Sequence, residues 1–309
     1  MTTSADSDDI TATGPAEDWL AKLDRVGEEA GYFQTLGPRH WAFFADEGTT
    51  LLVTFESAAA IRAGKDGLPH GHAIASARGW SHLCLIAEGQ TWYRDPGVWG
   101  YFDRLVDDAF FEDFDKVLFY GAGAAGYAAA AYSVAAPGAS LLLMAPRATQ
   151  DPAFAGWDRR DPAARRLDFT SRYGYAPAMA EGAAEVFVIY DPSEPMDAMH
   201  AALFRAPYAT LLRTPALGPA PERMFDSMGL TPRLIEAAMA GDLTRASFSR
   251  FWRLRRNSGV YARLLMDKLA STGNSARELR VTRWVASHFK SAGFQKRLAA
   301  LEAKLNPPA

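Results

Sequence analysis

Three glycines carry the first chemical hint in this chain of 309 residues. Gly121, Gly123 and Gly126 spell G-x-G-x-x-G, directly after the apolar run Lys116-Val-Leu-Phe-Tyr and directly before an alanine-rich stretch that favours helix. A strand, a tight glycine turn and a helix start, in that order, gather backbone N–H groups at one point, where they can meet a pyrophosphate or another anion. Gly121, Ala122, Gly123, Ala124, Gly126 and Tyr127 are therefore the candidate ligand-binding residues. A dinucleotide site would also need an acidic residue at the end of the next strand to hold a ribose hydroxyl. That strand ends Leu143-Met144-Ala145-Pro146-Arg147, where Arg147 suits at best a 2′-phosphate, and two strand-like runs precede the glycine turn. No cofactor is expected on this ground.

Other residues offer chemistry with less support. Asp197 and His200 stand three apart and would share a helical face, which makes them candidate catalytic residues, although a helix-surface pair is the commoner meaning of that spacing. His70 and His72 form H-x-H; on a strand they would share a face and supply two ligands to a metal, but spacing nominates no third, so no metal site is expected. Cys84 lies within the apolar run His-Leu-Cys-Leu-Ile and reads as a core residue. As the one cysteine, it excludes an intramolecular disulfide and favours a reducing compartment, so a cytoplasmic location is expected. Trp80, Trp92, Trp99 and Trp157 could line a carbohydrate or base-stacking surface, but such residues more often belong to a core.

The elements that must position these groups are legible as alternating patterns. Six short β-branched or leucine-rich runs predict strands at 50–56, 82–88, 116–121, 140–146, 185–191 and 208–214. Helical segments between them, notably Pro96 to Phe114 and Gly126 to Ala136, argue for a mostly parallel sheet covered on both faces. Residues 147–184, rich in Pro, Arg and aromatics, break the rhythm and form a candidate lid or cap. From Thr231 onward only helices are expected, near 231–240, 244–256, 259–270 and 276–304. Between Leu243 and Ala309 fourteen Lys or Arg face only Asp267, Glu278 and Glu302, although the whole chain is at −3. That charge makes nucleic acid a conceivable partner for the tail, but apolar residues at helical spacing point to packed helices with a solvated basic face. The polar, acidic start, MTTSADSDDITATGPAEDW, lacks the basic and apolar stretches of a secretory signal. It reads as a disordered leader, and no apolar run is long enough to span a bilayer.

From about Ser81 to Met228 the chain resembles serine α/β-hydrolase-like proteins typified by accessory secretion-system acetyltransferases and related polysaccharide-locus proteins. Their nucleophile elbow reads roughly Y-G-x-S-M-G-G-Y-A-A; here the matching stretch is Tyr120-Gly121-Ala122-Gly123-Ala124-Ala125-Gly126-Tyr127-Ala128-Ala129. The Trp92-Tyr93 pair and the turn Ala145-Pro146-Arg147-Ala148-Thr149 add to the likeness. The resemblance implies a mostly parallel α/β-hydrolase-type sheet, and it maps the triad carboxylate to Asp197. It departs at the reacting positions. Gly123 stands where the serine belongs, and the loop Ala216-Leu217-Gly218-Pro219-Ala220-Pro221-Glu222, where the histidine falls, contains none. Acyl transfer needs both groups.

Sequences of this type are sometimes labelled phosphoadenosine phosphosulfate reductase. That family carries an S-G-G-x-D-S phosphate loop near the start and a reactive cysteine near the end; this chain has neither. The expected organisation is a leader over 1–16, an α/β-hydrolase-like domain over 17–230 with the insertion 147–184, and a basic helical extension over 231–309. The expected function is a catalytically degenerate hydrolase-like protein that binds a small-molecule or protein ligand. One alternative is an esterase or acyltransferase using displaced groups such as His200 or Ser133. Another is a nucleotide-binding enzyme using the glycine turn.

Overall fold

The computed structural model describes residues 15–305. The leader expected over 1–16 lies outside the described residues except for its last two, which open a helix running Pro15–Ala30. Eight strands follow: β1 (Gly31–Gly37), β2 (His40–Ala45), β3 (Thr50–Ser57), β4 (Ser81–Ala87), β5 (Lys116–Ala122), β6 (Ser140–Met144), β7 (Glu185–Tyr190) and β8 (Ala209–Arg213). They form one sheet in the order β1-β2-β4-β3-β5-β6-β7-β8. The β1–β2 and β2–β4 pairings are antiparallel and the other five parallel. This is a sheet of the α/β-hydrolase type, with helices on both faces and a helical C-terminal region.

Strand alternation divides the core in two. Val53, Phe55, Leu83, Phe119, Leu141 and Val186 point to one face, where they meet the helix Gly123–Tyr132 and the aromatic side of the helix Pro96–Asp107. Leu52, Leu118, Leu142 and Phe187 point to the other. On that second face lie Leu234 and Ile235 of the helix Thr231–Met239, so the helical chain begins by covering the sheet. Farther on, the helices Gly259–Ser271, Ser275–Phe289 and Ala292–Leu305 close a small cluster of their own around Met266, Val285 and Phe294. The single helix expected over 276–304 is two, broken where Lys290 takes φ +44°.

The six expected strands are all present; β1 and β2 were not expected. β1 is an edge strand whose Tyr32, Phe33, Gln34 and Thr35 are all exposed or half-buried, so apolar alternation is weak there. β2 is a short aromatic run with no polar face. Among the described residues no helix is long and apolar enough to cross a membrane.

Candidate functional site

β5 delivers the chain into the glycine turn at the carboxyl edge of the sheet, near its middle. Gly123 opens the next helix with φ +58°, and a Cβ built there meets nothing within 4 Å. The backbone thus presents residue 123 in the left-handed conformation, with room for a side chain that the sequence does not supply. Its neighbours need glycine for a different reason. A Cβ on Gly121 would collide with the Ala125 carbonyl, and one on Gly126 would sit 3.2 Å from both the Gly121 oxygen and Pro146. Gly121→Ala is therefore expected to destabilise by about 1–3 kcal/mol, as overpacked sites do. Gly123→Ala should cost nearer ~1 kcal/mol, the strain of a left-handed residue. Urea melts of the two variants would show that order; equal midpoints would contradict it.

Tyr127, grouped with the ligand-binding candidates, is instead a core residue. It is fully buried, its hydroxyl donates to the Tyr173 carbonyl at 2.5 Å, and its ring packs edge-on against Trp92 and Phe169. A residue four places into the helix lies one turn behind the elbow.

Residues 147–184 form a fastened layer beside this turn. The buried Arg94 donates to the carbonyls of Asp168 (2.7 Å) and Arg172 (2.6 Å) and to the Ser171 hydroxyl (3.1 Å). Trp92 Nε1 donates to Asp161 at 2.8 Å. Where the layer begins, the Arg147 amide donates to the Gly123 carbonyl at 3.3 Å.

Behind that junction lies a charged network built around the buried Asp158, Asp197 and His200. Asp158 Oδ2 accepts from Arg147 (2.6 Å), Arg160 (2.8 Å) and His200 Nε2 (2.9 Å). Arg160 also donates to Asp197 at 2.6 Å. The His200 Nδ1 accepts from the Ala148 amide at 3.1 Å, which places its proton on Nε2. Burial, with the charges of Arg147 and Arg160, outweighs Asp158 and lowers the His200 pKa. Burial alone would raise the Asp158 carboxyl, but the hydrogen bonds from His200 and Arg160 hold it far below the usual carboxylate range.

This geometry corrects the pairing of Asp197 with His200. No hydrogen bond joins the two; the link between them runs through Arg160 and Asp158. Both nitrogens of His200 are engaged, so it has no free lone pair to offer a nucleophile. The carboxylate at the carboxyl end of β7 is Asp191, six residues before Asp197. Asp191 is buried, and accepts from the Ser193 amide (2.9 Å), the Ser193 hydroxyl (2.5 Å) and the Gly218 amide (2.9 Å). Gly218 lies in the loop after β8, so a backbone N–H reaches the aspartate where a histidine ring would be sought. Lys268 contacts Ser193 and lies 3.8 Å from Asp191 and 3.6 Å from Glu194, tying the helical tail to this corner. Ser133 is buried and donates to the Ala130 carbonyl, ten residues beyond Gly123 and so about 15 Å along the helical path.

The other candidates resolve into structure. His70 and His72 lie on a helix, His70–Ser76, not on a strand, so at two residues apart they diverge. Glu56, His82 and Cys84 do bring a carboxylate, an imidazole and a thiol within 4.8 Å. The Thr54 hydroxyl, however, bonds both His82 Nε2 (2.9 Å) and Glu56 (3.0 Å), and Glu56 caps the helix amides of His70 (2.7 Å) and Gly71 (2.9 Å). A Cβ on Gly71 would already collide with the His82 ring. This cluster is a packed polar pin beneath a helix. Burial, and next the Glu56 charge, push the Cys84 thiol well up, the opposite of an activated nucleophile. Arg147, the one residue suited to a 2′-phosphate, is committed to Asp158. Trp92 is buried, and Trp157 packs on His200 with ring centroids 4.6 Å apart.

No protein-family model matches the sequence, and a search of curated proteins finds no match. Among solved structures, the chain is similar to EstE5–PMSF at 13% identity, covering 79% of this chain and 93% of that one with a TM-score of 0.44. It is also similar to a hormone-sensitive lipase from a metagenome library (14%, 73% and 91%, 0.42). A third is a hyperthermophilic esterase from the archaeon Pyrobaculum calidifontis (15%, 76% and 90%, 0.39). The fold assignment rests on the strand order itself.

Proposed function

We propose that this chain uses a hydrolase-type scaffold to bind a small-molecule or protein ligand at the carboxyl edge of its sheet, without a covalent acyl intermediate. One observation carries the reading: residue 123 keeps the left-handed turn and the open space that would display a nucleophile, and it is glycine. The corner where a base would act is filled by the Gly218 amide, Asp191 and Lys268. The first N–H groups of the helix Gly123–Tyr132 lack helical partners by geometry and remain as donors to a ligand oxygen. The single, buried Cys84 agrees with a cytoplasmic setting.

A second reading is an esterase or acyltransferase acting on a glycan or small ester, the activity class of the esterases and the lipase among the similar structures. It also agrees with the elbow's resemblance to acetyltransferases of secretion and polysaccharide loci. It requires a serine and a base other than those of the elbow, and Ser133 and His200 are both committed elsewhere. A fluorophosphonate probe separates the two. The wild-type chain is expected to remain unlabelled, and so is Gly123→Ser, which supplies a hydroxyl but no histidine to take its proton. Stoichiometric labelling of the wild type, mapped to one serine, would establish the second reading.

A further inference from the structure

The helical tail contains a groove that the described residues leave open. Tyr261, Leu265, Val281 and Val285 form its floor, in a cavity of about 440 Å³ between the helices Gly259–Ser271 and Ser275–Phe289. Trp284 stands at its edge, 46% exposed, with its ring stacked on His288 at 4.8 Å. The rim is cationic. Arg255 is fixed there, donating to the Trp252 carbonyl at 2.6 Å with its guanidinium 4.6 Å from the Trp252 ring, while Arg256 and Arg280 are exposed and form no salt bridge among the described residues.

Charge decides what this groove fits. The three acidic residues of the tail are already engaged: Glu302 with Arg283 at 2.8 Å, Asp267 with Arg297 at 2.5 Å and Glu278 with Arg297 at 4.0 Å. No side-chain carboxylate among the described residues of the tail is left to answer Arg256 and Arg280. A second copy of the chain would set one arginine rim against another, which like charges oppose. A nucleic acid backbone would gain from the rim but not from an aliphatic floor. We infer that this groove docks the apolar face of an acidic amphipathic helix from a protein partner. Apolar residues at i, i+4 and i+7 would enter the floor beside Trp284, and flanking carboxylates would meet Arg256 and Arg280.

The test uses the full chain and a fluorescein-labelled peptide of about five helical turns, with Leu at those positions and Glu around them. A second peptide replaces each Leu with Ser at the same charge, and a single-stranded RNA oligomer serves as a third probe. Saturable anisotropy with the Leu peptide is expected, weakened about tenfold for the Ser peptide and about tenfold for Arg256→Glu/Arg280→Glu, a change of ~1.4 kcal/mol in each case. Trp284→Ser should weaken binding as well. These side chains are exposed, so unchanged thermal midpoints will show that the variants fold. The inference is overturned by no saturation with the Leu peptide, by equal binding of both peptides, by full binding to the double variant, or by RNA binding more tightly than the peptide and displacing it.

Discussion

Replacing Asp158 with alanine is expected to be the most damaging single change away from the elbow, costing up to about 3 kcal/mol, the low end for a broken buried ion pair, because Arg147 and Arg160 keep part of their side chains in water. The Asp158 side chain is fully buried, and one carboxylate oxygen answers Arg147, Arg160 and His200 together. Removing it leaves two guanidiniums facing each other with only Asp197 between them, and strands the His200 Nε2 proton without an acceptor. A buried donor without a partner adds its own desolvation cost. Asp158→Asn keeps hydrogen-bonding capacity but loses the charge, so it should fall between wild type and alanine. In the alanine background, Arg160→Met should recover part of the loss by removing one of the unanswered charges, a coupling a double-mutant cycle reads directly. An Asp158→Ala variant within 1 kcal/mol of wild type would show that the network contributes little to holding the 147–184 layer beside Gly123.

How much of this was legible in the sequence follows from distance along the chain. β3, β4, β6 and β7 are buried along nearly their whole length, β5 and the edge strand β8 only in part, and the apolar runs of all six are strong local signals. The turn at Gly121 to Gly126 was legible for the same reason, since strand, glycines and helix are contiguous. β1 and β2 were missed because one is a polar edge and the other has no alternation. The Asp158–His200 bond joins residues 42 apart and the Arg160–Asp197 pair residues 37 apart, and no periodicity connects them. Asp191 is different. It immediately follows the run Glu185-Val-Phe-Val-Ile-Tyr190, and the rule that function gathers at the carboxyl ends of parallel strands would have chosen it over Asp197. Pro69 before His70 was a usable helix-start signal too, since the H-x-H pair begins a helix directly after it.

Acid should destabilise this protein well before its carboxylates titrate. His82 and His200 are both fully buried, and burial lowers the pKa of each, aided at His82 by the charges of His72 and His70. The folded state therefore refuses a proton that the unfolded chain accepts near pH 6.5. As pH falls below that value the unfolded state gains protons the native state does not, and stability drops by up to about 1.4 kcal/mol per pH unit for each histidine. The loss runs from about pH 6.5 down to the depressed native pKa values. Asp158 acts in a separate window. Its native pKa is lowered, so its contribution is complete above the unfolded value near 4 and fades only below it. Urea midpoints are expected to be flat from pH 8 to 7 and to begin falling as the pH drops below about 6.5. His200→Gln should fold less stably at neutral pH because its amide can replace only part of the link between Ala148 and Asp158. Its midpoint should nevertheless fall less steeply with acid, since one proton-refusing ring is gone. A wild-type profile that stays level to pH 5 would mean that these rings take up protons in the native state, which would require the Asp158 network and the Thr54–His82 contact to rearrange without unfolding.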